Sequence, residues 1–295
     1  KSEGSNVFKE AVIVAGARTP VGKSKKGSLA TVRPDDLGAL VVKETLKRAN
    51  GYDGPIDDLI FGCAMPEAEQ GLNMARNIGG LAGLPSSVPA ITINRYCSSG
   101  LQTIAYAAER IMLGHSEAII AGGAESMSMV PMVGHTVRPN ARLVDSAPEY
   151  YMSMGHTAEQ VASKYGVSRE DQDAFAVRSH QKAAAAIAEG RFVDEIVPVD
   201  VKINQIGSDN KLKTNSFTFS QDEGVRAGTN MEILAKLRPA FNVKGSVTAG
   251  NSSQTSDGAA SVLVMEREKA EALGLKPIAR FRSFAVGGVP PEVMG

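Results

Sequence analysis

The sequence predicts an α/β fold: a mainly parallel sheet covered by helices and interrupted by one large insertion. Three observations carry this. Over the first 124 residues, short continuous apolar runs alternate with segments of helical spacing. From about Glu125 to Ser246 the alternation stops. From Val247 buried-strand character returns. Alternation of the first kind implies βαβ units.

The elements follow in order. Residues 11–15 read AVIVA, the short apolar run of a buried strand. Residues 18–30 are rich in Gly, Pro, Ser and Lys and form a loop. Pro34, followed by Asp35 and Asp36, opens a helix running to about Ala49. Proline loses no needed donor in a first helical turn, and acids suit its positive end. Residues 59–63 are the next strand, 73–84 a helix of small residues and 90–93 a third strand. From 98 to about 113, Leu101, Ile104, Ala105, Ala108 and Met112 recur at helical spacing. Residues 118–121 are a fourth strand ending at Gly122-Gly123. The insertion holds a Met- and Pro-rich stretch at 126–139, a helical pair at 156–165 and 170–189, and a polar region at 207–220. Then 261–265 (SVLVM) is a strand, 266–273 a helix, and 278–286 starts another strand. The first six residues read as a polar tail.

Composition excludes several classes. A chain of 295 residues, 43% hydrophobic and 22% charged, can bury a sizeable core. Lys+Arg and Asp+Glu are both 32, a balance that argues against a dedicated nucleic-acid binder. No apolar run approaches the roughly 18 residues of a membrane span. Two cysteines exclude a disulfide framework and point to a reducing compartment, the cytoplasm. Two Cys and four His, with no pair at zinc-ligand spacing, argue against a structural metal. No G-x-G-x-x-G follows a strand, and there is no phosphate-binding P-loop or G-x-S-x-G elbow. Dinucleotide oxidoreductases, nucleoside triphosphatases and common serine hydrolases therefore lack support.

Cys97 stands between a strand and an amphipathic helix. The N–H groups at a helix N-terminus favour a thiolate and can hold an oxyanion beside the sulfur. Ser98, Ser99 and Gly100 leave room for a substrate. The competing reading is a small core hydrophobe, since free cysteine is among the most buried residue types. Cys63 ends an apolar strand and reads as packing.

Several motifs occur in a fixed order: Val14-Ala15-Gly16-Ala17-Arg18-Thr19-Pro20-Val21-Gly22, Asn94-Arg95-Tyr96-Cys97-Ser98-Ser99-Gly100, Gly122-Gly123-Ala124-Glu125-Ser126-Met127-Ser128, Met154-Gly155-His156-Thr157-Ala158-Glu159, Lys236-Leu237-Arg238-Pro239-Ala240-Phe241, Thr248-Ala249-Gly250-Asn251-Ser252-Ser253 and Asp257-Gly258-Ala259-Ala260. With them the chain resembles the thiolase family over nearly its whole length, and within it the 3-ketoacyl-CoA thiolases of fatty-acid β-oxidation. The resemblance implies a layered α/β/α/β/α fold of two related halves. Residues 1–124 and 247–274 would form the first half, 125–246 an inserted loop domain that binds CoA, and 275–295 the start of a second half. Cys97 takes the acyl-enzyme role. Arg226, Ser253, Met154 and Ala249 are the implied CoA and substrate contacts. Without the family, Arg226 reads equally as a solvated cation, Ser253 as a turn former and Met154 as filler. Ser153 stands where many relatives carry a CoA-contacting His. His156 is not the family's catalytic His, and His115, His135 and His180 match no catalytic motif.

The family's Asn-Glu-Ala-Phe, Gly-His-Pro and Cys-x-Gly-Gly-Gly motifs do not occur in residues 1–295. The expectation is a truncated second half and a chain inactive by itself. The resemblance implies no cofactor, CoA serving as substrate. It implies a homodimer or homotetramer, a multienzyme β-oxidation partner as a further association, and no nucleic acid or membrane span. An acetoacetyl-CoA (biosynthetic) thiolase and a non-catalytic acyl-CoA-binding module are the alternatives. A chain-elongating condensing enzyme fits the motif around Cys97 less well.

Overall fold

A computed structural model describes residues 8–206 and 210–294. The polar tail at 1–6 and positions 207–209 of the polar region lie outside the described residues. The elements in chain order are β1 (Ala11–Arg18), β2 (Gly22–Lys23), α1 (Pro34–Arg48), β3 (Asp58–Gly62), α2 (Met74–Ala82), β4 (Ala90–Ile93), α3 (Ser99–Met112) and β5 (Ala118–Ser126). Next come α4 (Ala141–Ser146), α5 (Met154–Tyr165), α6 (Arg169–Ala188), β6 (Val199–Ile206), β7 (Leu212–Phe219), α7 (Met231–Ala235), β8 (Ser256–Glu266), α8 (Arg267–Ala272) and β9 (Ala279–Arg280).

The described residues form two compact units. The first takes them from Lys1–His135, Asp194–Glu223 and Thr255–Phe284, the second from Thr136–Val193, Gly224–Gln254 and Ala285–Gly295. The first unit holds a sheet of order β4-β3-β5-β8-β1-β9, with β2 paired to β8. Here the expectation of a mainly parallel sheet is corrected. Among the strands of the described residues only the β3–β4 and β3–β5 pairs are parallel, whereas β8 runs antiparallel to both β5 and β1. The strand–helix alternation still fixes direction where it applies: β1, β3, β4 and β5 all point the same way. The reversed strand is the one that returns after the long excursion and enters between β5 and β1.

Successive strand residues face opposite sides of a sheet. Leu59, Phe61, Ile120, Leu263 and Met265 join α1 and α2 in one core. Ile60, Ile119, Ala121 and Val264 face Ala107, Ala108 and Ile111 of α3 in another. Burial on both faces is why these strands read as unbroken apolar runs.

Three further expectations change. The fourth strand does not stop at Gly122-Gly123 but runs to Ser126, because β8 supplies a partner at every position. The glycine pair marks close packing instead: a Cβ on Gly122 would collide with the Ala260 carbonyl oxygen. The strand expected over 278–286 shrinks to Ala279–Arg280. Its pairing with β1 reaches Val12 opposite Arg280, and β1 begins only one residue earlier, at Ala11. The polar region at 207–220 conceals β7, which pairs with β6 in a hairpin: Val199, Val201 and Phe219 are buried in the core, and the positions from 204 to 206 and 212 to 216 are exposed. The second unit contains α4, α5, α6 and α7. Buried Asp173 ties it together, accepting from Arg169 Nε at 2.8 Å and Asn251 Nδ2 at 2.9 Å. Among the described residues no helix is long and apolar enough to cross a membrane.

Candidate active site

Cys97 is exposed at the corner where β4 gives way to α3. Tyr96–Ser98 forms one 3-10 turn, and α3 starts at Ser99. The turn carries strain: Tyr96 has φ +46°, a left-handed conformation rare for a bulky residue. Side chains hold it. Ser99 Oγ accepts the Arg95 N–H at 2.8 Å and donates to the Tyr96 carbonyl at 2.6 Å. Ser98 Oγ donates to the Arg95 carbonyl at 3.0 Å. Asn94 Oδ1 accepts the Tyr96 N–H at 2.8 Å, and Asn94 Nδ2 donates to the Ala64 carbonyl at 2.9 Å. Ser99 is buried against β3, with no room for a Cβ on Gly62.

The loop after β3 is held in turn by Glu125, at the end of β5. The Glu125 carboxylate accepts from Ala64 N at 2.7 Å, Met65 N at 3.3 Å and Gln70 Nε2 at 2.6 Å. Fully buried Gln70 accepts the Ser126 N–H at 2.6 Å. Cys63 lies inside this cluster, its Sγ 3.4 Å from Gln70 Nε2 and 3.9 Å from Glu125 Oε1. Burial, reinforced by the Glu125 charge, pushes the Cys63 thiol up to about 12. Cys63 is thus packed, as its apolar strand implies, and stays protonated in the physiological range. Sequence reasoning gave Asn94, Gln70 and Glu125 no role. The one local signal was an Asn two residues before a turn N–H, the spacing of an Asx turn.

Met154, Arg226, Ala249 and Ser253 all fall in the second unit, and all are exposed. Met154 is the first residue of α5. The Arg226 N–H donates to His180 Nδ1 at 3.2 Å, while its guanidinium has no hydrogen bond or ion pair among the described residues. Ala249 and Ser253 flank a loop locked by Asn251, which accepts the Thr248 N–H and donates to the Ser246 carbonyl. Ser253 Oγ donates to the Gln254 carbonyl at 3.1 Å. His156, bonded through Nδ1 to Ser153 Oγ at 2.7 Å, lines an open cleft with Tyr151, Met152 and Asn242. None of the four expected contacts lines that cleft.

Cys97 is thus an exposed thiol on a strand–turn–helix corner of a mixed sheet. Residues 11–268 match the family model described as Thiolase, N-terminal domain. The chain belongs to the thiolase family. It is 77% identical over 288 residues to a Bacillus subtilis (strain 168) protein named 3-ketoacyl-CoA thiolase, covering 98% of this chain and 74% of the relative. It is 46% identical over 300 residues to a Pseudomonas aeruginosa protein named acetyl-CoA acetyltransferase, again covering 98% and 74%. The crystal structure of the Bacillus anthracis acetyl-CoA acetyltransferase matches it with a TM-score of 0.84 at 38% identity, over 98% of this chain and 74% of that one.

Proposed function

We propose that the protein is an acetyl-CoA C-acyltransferase that cleaves 3-ketoacyl-CoA with CoA in fatty-acid β-oxidation. The observation that carries this is the exposed Cys97 on its strained turn, inside the family's nucleophile motif. The Cys97 thiolate adds to the 3-keto carbon. The bond between C2 and C3 then breaks. Its electron pair passes to C2 as a thioester enolate, which takes a proton and leaves as acetyl-CoA. Cys97 now carries the shortened acyl group as a thioester. A second CoA thiol gives up its proton, attacks that carbonyl and releases Cys97. Covalent catalysis divides one difficult step into two. The substrate thioester stabilises the carbanion, so the reading requires no cofactor beyond CoA as substrate.

The free guanidinium of Arg226 suits the anionic end of CoA, and Met154, Ala249 and Ser253 are its proposed companions along the ligand. That all four fall in one compact unit supports a shared ligand. The same reading takes residues 125–246 as an inserted loop domain and the complete fold as five layers in two halves. It takes the assembly as a homodimer or homotetramer, in the cytoplasm. With the chain extended through the family's Gly-His-Pro and Cys-x-Gly-Gly-Gly motifs, incubation with a 3-ketoacyl-CoA without CoA should leave an acyl group on tryptic peptide 96–110, and CoA should discharge it. Thiolysis, followed as loss of the 3-ketoacyl-CoA enolate absorbance, should vanish in Cys97→Ser. Undiminished thiolysis by that variant would sink the proposal. The relative named acetyl-CoA acetyltransferase favours a second reading, acetoacetyl-CoA as preferred substrate. Comparison of kcat/KM on acetoacetyl-CoA and on longer 3-ketoacyl-CoA separates the two.

A further inference from the structure

We propose that Asn94 and Glu125 are positioning residues for Cys97, linked through the backbone of Ala64. The inference rests on Cys97 being the nucleophile of the reaction above. The chain of contacts is continuous. The Glu125 carboxylate at the end of β5 takes the Ala64 N–H at 2.7 Å. The carbonyl of the same residue takes Asn94 Nδ2–H at 2.9 Å, and Asn94 Oδ1 takes the Tyr96 N–H at 2.8 Å. Tyr96 directly precedes Cys97 and is the residue with φ +46°. A left-handed conformation at a bulky residue persists only where its surroundings over-determine it. Ser99 holds the turn from the helix side, and the Asn94–Ala64–Glu125 chain holds it from the sheet side.

Both ends of the Asn94 amide are used, one as donor and one as acceptor. A carboxylate there keeps the acceptor for Tyr96 but turns an oxygen towards the Ala64 carbonyl. At Glu125, two backbone N–H groups and the Gln70 amide converge on one carboxylate, so loss of its charge weakens every contact together. The link acts on the direction of the sulfur. Acyl transfer depends steeply on direction, and misplacement of a reacting group by about 1 Å can cost on the order of 10² in rate. Alkylation by a small reagent needs only an accessible thiolate.

The test uses Asn94→Asp, Glu125→Gln and the double variant in the full protein. For each, kcat and KM for thiolysis, the rate of Cys97 labelling by iodoacetamide and the thermal midpoint are measured. The expected result is a fall in kcat of about 10- to 100-fold in each single variant. KM and the labelling rate, measured well below the midpoint, should stay within about threefold, while the midpoint of Glu125→Gln falls with its weakened contacts. Because both residues act through one chain, the double variant should fall little further than the worse single one. A kcat within about threefold of the parent in both single variants overturns the proposal. So do losses that multiply in the double variant, or a parallel loss of labelling, midpoint and kcat, which marks a merely structural role. If Asn94→Asp fails to fold, the near-isosteric Glu125→Gln decides alone. Failure of the thiolase reading is distinct: Cys97→Ser would then keep its activity whatever the positioning variants do.

Discussion

Native protein treated with iodoacetamide at pH 8.5 should take label at Cys97 and not at Cys63. The magnitude follows from the environment of Cys63. An ordinary thiol is about half ionised at this pH, near its unperturbed pKa of about 8.5. Burial and the Glu125 charge lift the Cys63 thiol to about 12. Its ionised fraction is then roughly 3 × 10⁻⁴, and only the thiolate reacts. Ionisation alone slows Cys63 by about 10³ relative to the same thiol in the unfolded chain. Steric exclusion adds to this, since Cys63 is 1% exposed, whereas Cys97 is open to solvent. The assay is quenched alkylation, tryptic digestion and mass spectrometry of peptide 49–76 for Cys63 and 96–110 for Cys97. A parallel sample in urea gives the unfolded rate. Native labelling of Cys63 within about tenfold of the urea rate, or equal labelling of the two cysteines, would refute the reasoning. The same shift carries a sign for stability. A thiol whose folded pKa is raised adds stability that is complete below its unfolded pKa and is lost as pH climbs towards the folded value. Cys63→Ala should therefore remove part of the protein's alkaline sensitivity above about pH 8.5.

Two more expectations concern the supports of the site and the sheet. Gly62→Ala should lower stability by about 1–3 kcal/mol and depress thiolysis with it, by overpacking. Its Cβ would stand 2.6 Å from Ser99 Cβ and 2.9 Å from the Ser99 carbonyl carbon, which obliges the head of α3 to move. An unchanged urea midpoint and rate would contradict this. Arg48→Met should cost about 1–3 kcal/mol in urea titration, because Arg48 donates to the carbonyls of Gly16, Asp194 and Ile196. Arg48 also holds the Glu44 carboxyl below its usual range through a 2.9 Å hydrogen bond. That contribution is present above the unfolded carboxyl pKa of about 4.3 and disappears as pH falls through the lowered folded value. The parent should lose more stability than Arg48→Met on acidification through this window. Identical acid profiles would show that the pair contributes nothing.

Much of the first unit was legible because its signals are local. Pro34, Asp35 and Asp36 mark the start of α1, and the apolar spacing over 98–113 locates α3 within a residue. Cys97 was legible for the same reason, as it needs only a strand before it and a helix after it. The direction of β8 was not local: nothing in SVLVM reports that its neighbours are Ala118–Gly122 on one side and Val12–Ala17 on the other. The β6–β7 hairpin escaped because its apolar alternation is short, with Val199, Val201, Phe217 and Phe219 at the core end, and gives way to exposed positions at the other. Asn94 and Glu125 lie 31 positions apart and meet only through the backbone of Ala64, a relation that one-dimensional spacing does not carry. The four expected CoA contacts came from resemblance alone, and each is an ordinary surface residue when taken singly.

The central position of β8 also has a consequence during synthesis. Its partners β5 and β1 are complete by Ser126 and Arg18, but β8 ends only at Glu266. On the ribosome those two strands must wait for about 140 further residues, on the order of ten seconds at ordinary elongation rates. During that interval each presents an unpaired apolar edge, the template on which foreign strands add. The nascent chain is therefore open to edge-to-edge aggregation over a defined window, which closes when β8 arrives. A holding chaperone should bind it most strongly between those two lengths.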